Sequence, residues 1–133
     1  MPVSSNQWFL YSDDFIGFLK QSKELGDQRT DVTYMERTGV SDMYEVIQWP
    51  NKLIGNISTG TMVWEQDFIL YRYAQYYTML AELRYHRKDY SGALTALTTL
   101  AQRAYGKANF YTDSSAAAVR QALVDENLKE FAE

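Results

Sequence analysis

Both prolines and five of the seven glycines (Gly17, Gly26, Gly39, Gly55 and Gly60) fall before residue 65, and only Gly92 and Gly106 follow it. Gly and Pro are the strongest interrupters of regular backbone, so long helices are open to the second half of the chain and closed to much of the first. The expected fold is mainly α: a loop-rich segment with one short helix over 1–64 and a helical segment over 65–133. A chain of 133 residues is enough for one domain and short for two.

In the first half, Ser12 followed by Asp13 and Asp14 has the form of an N-cap with acidic residues in the first turn. Phe15, Phe18, Leu19 and Leu25 then follow near helical spacing, predicting a helix over 12–25 that ends at Gly26. Residues 27–60 mix polar and apolar side chains without a helical period. They read as loops with short strands at most, the extended candidates being 31–35 and 44–49, the second stopped by Pro50.

In the second half, Ile69, Tyr73, Tyr76, Tyr77, Leu80 and Ala81 recur at three- and four-residue steps, predicting an amphipathic helix over 67–87. The tyrosines of this stretch, Tyr71, Tyr73, Tyr76 and Tyr77, are assigned to core or helix–helix packing. A break at 88–92 leads to Ala93, Leu94, Ala96, Leu97, Leu100, Ala101 and Ala104, closed by Gly106 as a C-cap. A third helix is expected over 116–131, capped by Ser114 or Ser115, with Val119, Leu123, Leu128 and Phe131 as apolar positions. Tyr77, Leu80, Ala81, Ala93 and Leu97 fit a tetratricopeptide-like helical hairpin, in which small residues let two antiparallel helices approach and large ones fill the space beside them. Arg84 stands where an aromatic is usual. A generic hairpin with alanine at its crossing has the same spacing, and an isolated repeat cannot bury both of its faces.

The charge balance narrows the partners. With 13 Lys and Arg against 17 Asp and Glu, the net charge is −4, which offers no basic field for nucleic acid. The absence of Cys excludes disulfides and thiol chemistry, and the single His excludes a histidine metal cluster or a Ser-His-Asp relay. No cofactor motif is present: the 55–61 loop has glycines but no phosphate-binding Lys. No apolar run approaches the roughly 18 residues of a membrane span, and the first seven residues lack the basic region of a secretory signal. His86 reads as the solvated end of a helix. Asp13 and Asp14 read as complements to a helix dipole, and Asp125 and Glu126 as a solvated face or a buried ion pair with Arg72 or Arg103. Neighbouring residues on a helix point in different directions, so neither carboxylate pair makes a glycosidase geometry, and a non-enzymatic protein is expected.

Aromatic content is 15%, including 11 Tyr and 3 Trp. Sugar rings stack on indole while their hydroxyls need amide and carboxylate partners. Trp49, Trp8 and Trp64 lie in the irregular half near Asn6, Gln7, Gln48, Asn51 and Asn56, and are the candidate ligand contacts, with Trp49 first.

Several stretches taken in order resemble the C-terminal portion of the SusD/RagB family. They are Asp67-Phe68-Ile69-Leu70-Tyr71-Arg72-Tyr73-Ala74, Leu80-Ala81-Glu82-Leu83, Ala93-Leu94-Thr95-Ala96-Leu97 and Arg103-Ala104-Tyr105-Gly106, followed by the run from Ala122 to Glu133. Asp125, Glu126 and Glu130 match an Asp-Glu-Arg-x-x-Glu-type signature with Asn127 in place of Arg, and Gly26-Asp27-Gln28-Arg29 is similar to the family's Asp-x-Arg segment. Family members are several times longer, begin with a lipoprotein signal and cysteine, and continue past the Phe-Ala-Glu-like step into a Gly-Lys-Arg-Trp-Tyr-like stretch. The chain is therefore expected to be a fragment. The resemblance implies a parent at the outer-membrane cell surface, a lipoprotein that binds glycan or other nutrient and partners a SusC-like TonB-dependent transporter. Read without the resemblance, the hairpin suits a free-standing adaptor for another protein.

Overall fold

Ser12 accepts a hydrogen bond from the Phe15 N–H at 3.3 Å and so starts α1 (Asp13–Glu24), with Asp13 and Asp14 in the first turn as the cap predicts. The computed structural model describes residues 11–41, 44–50, 56–58, 61–63 and 72–131. After α1 come α2 (Thr30–Thr33), β1 (Tyr34–Ser41), β2 (Tyr44–Pro50), β3 (Asn56–Ser58) and β4 (Thr61–Val63). Three longer helices follow: α3 (Tyr73–His86), α4 (Tyr90–Tyr105) and α5 (Ala116–Phe131). The architecture is mainly α.

The extended candidate at 44–49 is β2, and it pairs antiparallel with β1, Tyr34 opposite Pro50 and Thr38 opposite Val46, with an irregularity between Thr38 and Ser41. β3 and β4 form a second antiparallel pair. The candidate at 31–35 divides: its first part belongs to α2, and the strand begins only at Tyr34. The reason is tertiary. The Arg29 carbonyl accepts from the Val32 and Thr33 N–H groups, and Thr30 Oγ1 donates to the Leu19 carbonyl at 3.0 Å, so contacts to α1 and to the anchored Arg29 hold one helical turn. Beneath α1 lies a small cluster of Ile16, Leu19 and Tyr34, flanked by Tyr11 and Phe15.

The helical half packs as a hairpin with a third helix against both members. Ala81 on α3 and Ala93 on α4 are fully buried, together with Leu97 and with Val119 of α5. Small residues at the crossing let the backbones approach, while Tyr77, Leu80, Tyr85 and Tyr90 fill the margins. Asp89 caps α4 by accepting from the Gly92 N–H at 2.9 Å. A Cβ on Gly92 would stand 2.1 Å from that carboxylate, so any larger residue there would make the Asp89 side chain shift. Arg84, at the position where an aromatic is usual, donates to the Gly92 carbonyl at 2.7 Å and ties the end of α3 to the start of α4. Gly106 ends α4 at φ +66°, a left-handed conformation suited to glycine. Ser115 accepts from the Ala118 N–H and starts α5.

Two assignments made from apolar spacing change. Tyr77 packs on the core, but Tyr73 is 76% and Tyr76 56% exposed, on the side of α3 away from its neighbours; Tyr71 lies outside the described residues. Leu128 is also exposed, because the inward face of α5 runs through Val119, Ala122 and Leu123 and then through Glu126, Lys129 and Glu130. Each charged position lies seven residues beyond an apolar one on the same face, two turns further along.

Candidate functional site

The polar end of α5 meets the turn after α1. Gly26, at φ +100°, closes α1 and sends the chain back, so that the Gln28 N–H donates to the Ala104 carbonyl at 3.0 Å and Arg29 enters the interior. Its guanidinium contacts three carboxylates. Nε donates to Asp27 Oδ1 at 2.9 Å and Nη2 to Asp27 Oδ2 at 2.8 Å, a two-pronged contact. Nη1 donates to Glu126 Oε2 at 2.7 Å and to Glu130 Oε2 at 3.3 Å, and Nη2 also reaches Glu126 Oε1 at 3.3 Å. The Arg29 backbone N–H closes the turn on Asp27 Oδ1 at 3.0 Å. Glu126 is fully buried and the Asp27 side chain 1% exposed, so these pairs act with little solvent between them.

A second ring of partners satisfies the remaining oxygens. Tyr111 Oη donates to Glu126 Oε1 at 2.6 Å, Arg103 Nη2 donates to both oxygens of Glu130 at 2.6 Å, and Ser22 Oγ donates to Asp27 Oδ2 at 2.9 Å. Ser22 also shares a 3.1 Å bond with Tyr105 Oη, which accepts from Lys129 Nζ at 2.8 Å. The Lys129 ammonium lies over the Phe18 ring at 4.7 Å while it bonds the Tyr105 hydroxyl, a cation held by one aromatic face and one phenol. Phe110 stacks on the other aromatic partner, Tyr105, with centroids 3.8 Å apart. Arg29, Arg103 and Lys129 balance Asp27, Glu126 and Glu130, so the six charges sum to zero.

The environment sets the protonation states. Burial pushes the Asp27 carboxyl upward, but hydrogen bonds and charge from Arg29 outweigh it and hold the group below its usual range. Glu130 behaves likewise, burial being overcome by Arg103 and Arg29. Burial dominates at Lys129, whose ammonium is pushed down despite the nearby Glu126, and at Tyr111 and Tyr105, whose hydroxyls are pushed well up. Asp27 and Glu130 are therefore ionised acceptors at neutral pH, suited to holding cations rather than donating protons.

Beside the cluster opens a cavity of about 300 Å³, lined by Arg29, Val32, Arg72, Arg103, Lys129 and Glu130 among others. Its walls come from the turn before α2, the start of α3 and the C-terminal ends of α4 and α5. The buried pairing foreseen for Glu126 is thus made with Arg29, 97 residues away, and Arg103 takes Glu130 instead. Asp125, by contrast, accepts from Gln121 Nε2 on the same helix. Apolar spacing misses this cluster; the seven-residue offset of Glu126, Lys129 and Glu130 from Val119, Ala122 and Leu123 is the signal that finds it.

Among the ligand candidates, Trp49 lies on β2 in register with Met35 of β1, and Trp8 and Trp64 lie outside the described residues. His86 is solvated near the end of α3, 3.9 Å from Glu82. Among the described residues no group of three His, Asp or Glu side chains is placed to hold a metal, and no helix is long and apolar enough to cross a membrane. Compared with family models, curated proteins and solved structures, the chain matches none.

Proposed function

We propose that this chain is the nutrient-binding module of a SusD/RagB-like surface lipoprotein, taking up glycan without turnover and working with a SusC-like TonB-dependent transporter. One observation carries the reading. Two short stretches of that resemblance, Asp27-Gln28-Arg29 in its weaker N-terminal part and the run from Asp125 to Glu130 in its stronger C-terminal part, supply the buried contacts between Arg29 and Glu126 and Glu130. Asp-x-Arg and the glutamates of the second signature have a common physical role here: they join the N-terminal segment to the helical unit.

In this reading the cluster is a clip and the ligand contacts lie elsewhere, on Trp49, Trp8 and Trp64. Indole faces would stack on pyranose rings, and nearby amides such as Gln48 and Asn51 would bond the ring hydroxyls. The test is calorimetric titration of the protein with a panel of neutral oligosaccharides, with Trp49→Ala alongside. Saturable binding that weakens at least about tenfold in the variant, with an unchanged unfolding midpoint, is the expected result, since losing a central aromatic anchor costs about 2 kcal/mol. Absence of heat with every sugar would overturn the assignment. A second reading, a free-standing helical adaptor, is supported by the outward apolar side of α3.

A further inference from the structure

Helix α3 is apolar on two opposite sides. At about 100° per residue, the buried positions Ala74, Thr78 and Ala81 fall within about 60° of one another and face α4 and α5. Tyr73, Tyr76, Met79 and Leu83 centre on the opposite side, with exposures of 76%, 56%, 61% and 55%. The only charged residue between positions 73 and 83, Glu82, lies off this stripe. A helix with apolar residues on both sides is normally covered on both sides.

We infer that the outer side of α3 pairs with the same side of a second copy of this chain, antiparallel about a two-fold axis midway between Tyr76 and Met79. Two arguments select that occupant. The first is area: two tyrosines, a methionine and a leucine exposed to this degree present roughly 500 Å² of surface, near the upper end of what a monomer leaves uncovered. Two copies face to face would remove about 1,000 Å², the lower bound for a specific interface. The second is self-complementarity. Aromatic residues stand at the N-terminal end of the stripe and aliphatic ones at the other. A two-fold axis therefore sets Tyr73 against Leu83 of the second copy and Tyr76 against its Met79, rings on aliphatic chains throughout. Antiparallel crossing also opposes the two helix dipoles.

The experiment is sedimentation or light scattering of the full chain from about 1 to 200 μM, with Met79→Glu and the double variant Met79→Glu, Leu83→Glu. Twice the 15.4 kDa chain mass is expected within that range for the native sequence. Each glutamate should weaken the dimer at least about tenfold while far-ultraviolet circular dichroism and the thermal midpoint of the monomer stay unchanged, because both positions are exposed. A native chain that remains monomeric at 200 μM would overturn the inference, and so would a dimer that survives the double variant. Neither result bears on sugar binding, so this surface is tested independently of the nutrient-binding assignment.

Discussion

Arg29→Met replaces the guanidinium at the centre of the buried cluster with an apolar chain of similar length. The native side chain makes five hydrogen bonds of 2.7 to 3.3 Å to Asp27, Glu126 and Glu130, all nearly or fully buried. Removing one member of a buried ion pair costs about 3–5 kcal/mol, because the charges left behind stay desolvated. Arg103 and Tyr111 keep contacts to Glu130 and Glu126, which places the expectation near the middle of that range, about 4 kcal/mol. Against the roughly 7–20 kcal/mol total for a chain of this length, the loss is large. Urea unfolding followed by tyrosine and tryptophan fluorescence should show a midpoint lowered by about 2 M for a slope near 2 kcal/mol/M. The pH dependence supplies a second readout. In the native protein Asp27 and Glu130 are held below their ordinary values, so their contribution is full above about pH 4.5 and is lost as pH falls through and below that value. Without Arg29, burial leaves the Asp27 carboxyl more easily protonated folded than unfolded, while Arg103 still holds Glu130 ionised, so the Asp27 contribution changes sign and the variant should lose less stability than the native protein as pH falls through about 4.5. A cost under 1 kcal/mol with an unchanged pH slope would refute the claim that the cluster holds the two halves together.

Other expectations follow from single contacts. Gly92→Ala should cost no more than about 1 kcal/mol in thermal or urea unfolding, because its Cβ shifts the Asp89 cap of α4 while alanine's helix propensity offsets part of the loss. Ala93→Leu should cost about 1–3 kcal/mol and shift aromatic near-ultraviolet signals, since the crossing with Ala81 is fully buried. Above about pH 10 the protein should lose stability steeply. Burial raises the hydroxyls of Tyr105 and Tyr111, so the stability they contribute is present below the ordinary tyrosine value of 10.0 and is lost as pH rises through it. The lowered Lys129 acts in the other sense, its penalty relieved as pH approaches 10.5, and two phenols outweigh one amine. A base titration by circular dichroism with Tyr111→Phe as control, which should flatten the loss, checks this.

The helices were legible because their ends are written in local chemistry. Ser12 caps α1, Gly106 closes α4 and Ser115 starts α5, and each is satisfied by atoms within three or four residues. The Ala81–Ala93 crossing was legible for a similar reason, since the size of a side chain limits how near two helices come whatever lies around them. The clip was less so. Nothing local to Asp27 or Arg29 indicates Glu126; the seven-residue offset puts Glu126, Lys129 and Glu130 on the inward face of α5, but it does not say which cation they meet. Tyr73 and Tyr76 failed in the reverse direction: their spacing is apolar, but the side of α3 they occupy has no described neighbour. Periodicity identifies which residues share a face and is silent about what that face meets. The turn at Thr30–Thr33 escaped because its backbone bonds depend on where Arg29 is held.

The two cores differ in kind, and that difference orders their stability. Among the described residues, the contact between α3, α4 and α5 is a continuous apolar cluster of eight buried residues, whereas the cluster beneath α1 is Ile16, Leu19 and Tyr34. The N-terminal segment therefore depends on its attachment to the helical unit. Among the described residues that attachment is mainly polar: the Arg29 contacts, the Ser22–Tyr105 bond, the Gln28–Ala104 bond, the Lys107 Nζ bond to the Leu25 carbonyl, and Lys129 over Phe18. Opening there need not expose the alanine crossing. Amide hydrogen exchange should accordingly separate two cooperative units, with α4 protected to the global unfolding free energy and α1 and α2 exchanging through a cheaper opening. Arg29→Met should lower protection in α1 and α2 more than in α4, and equal loss in all three helices would mean that the chain unfolds as one unit.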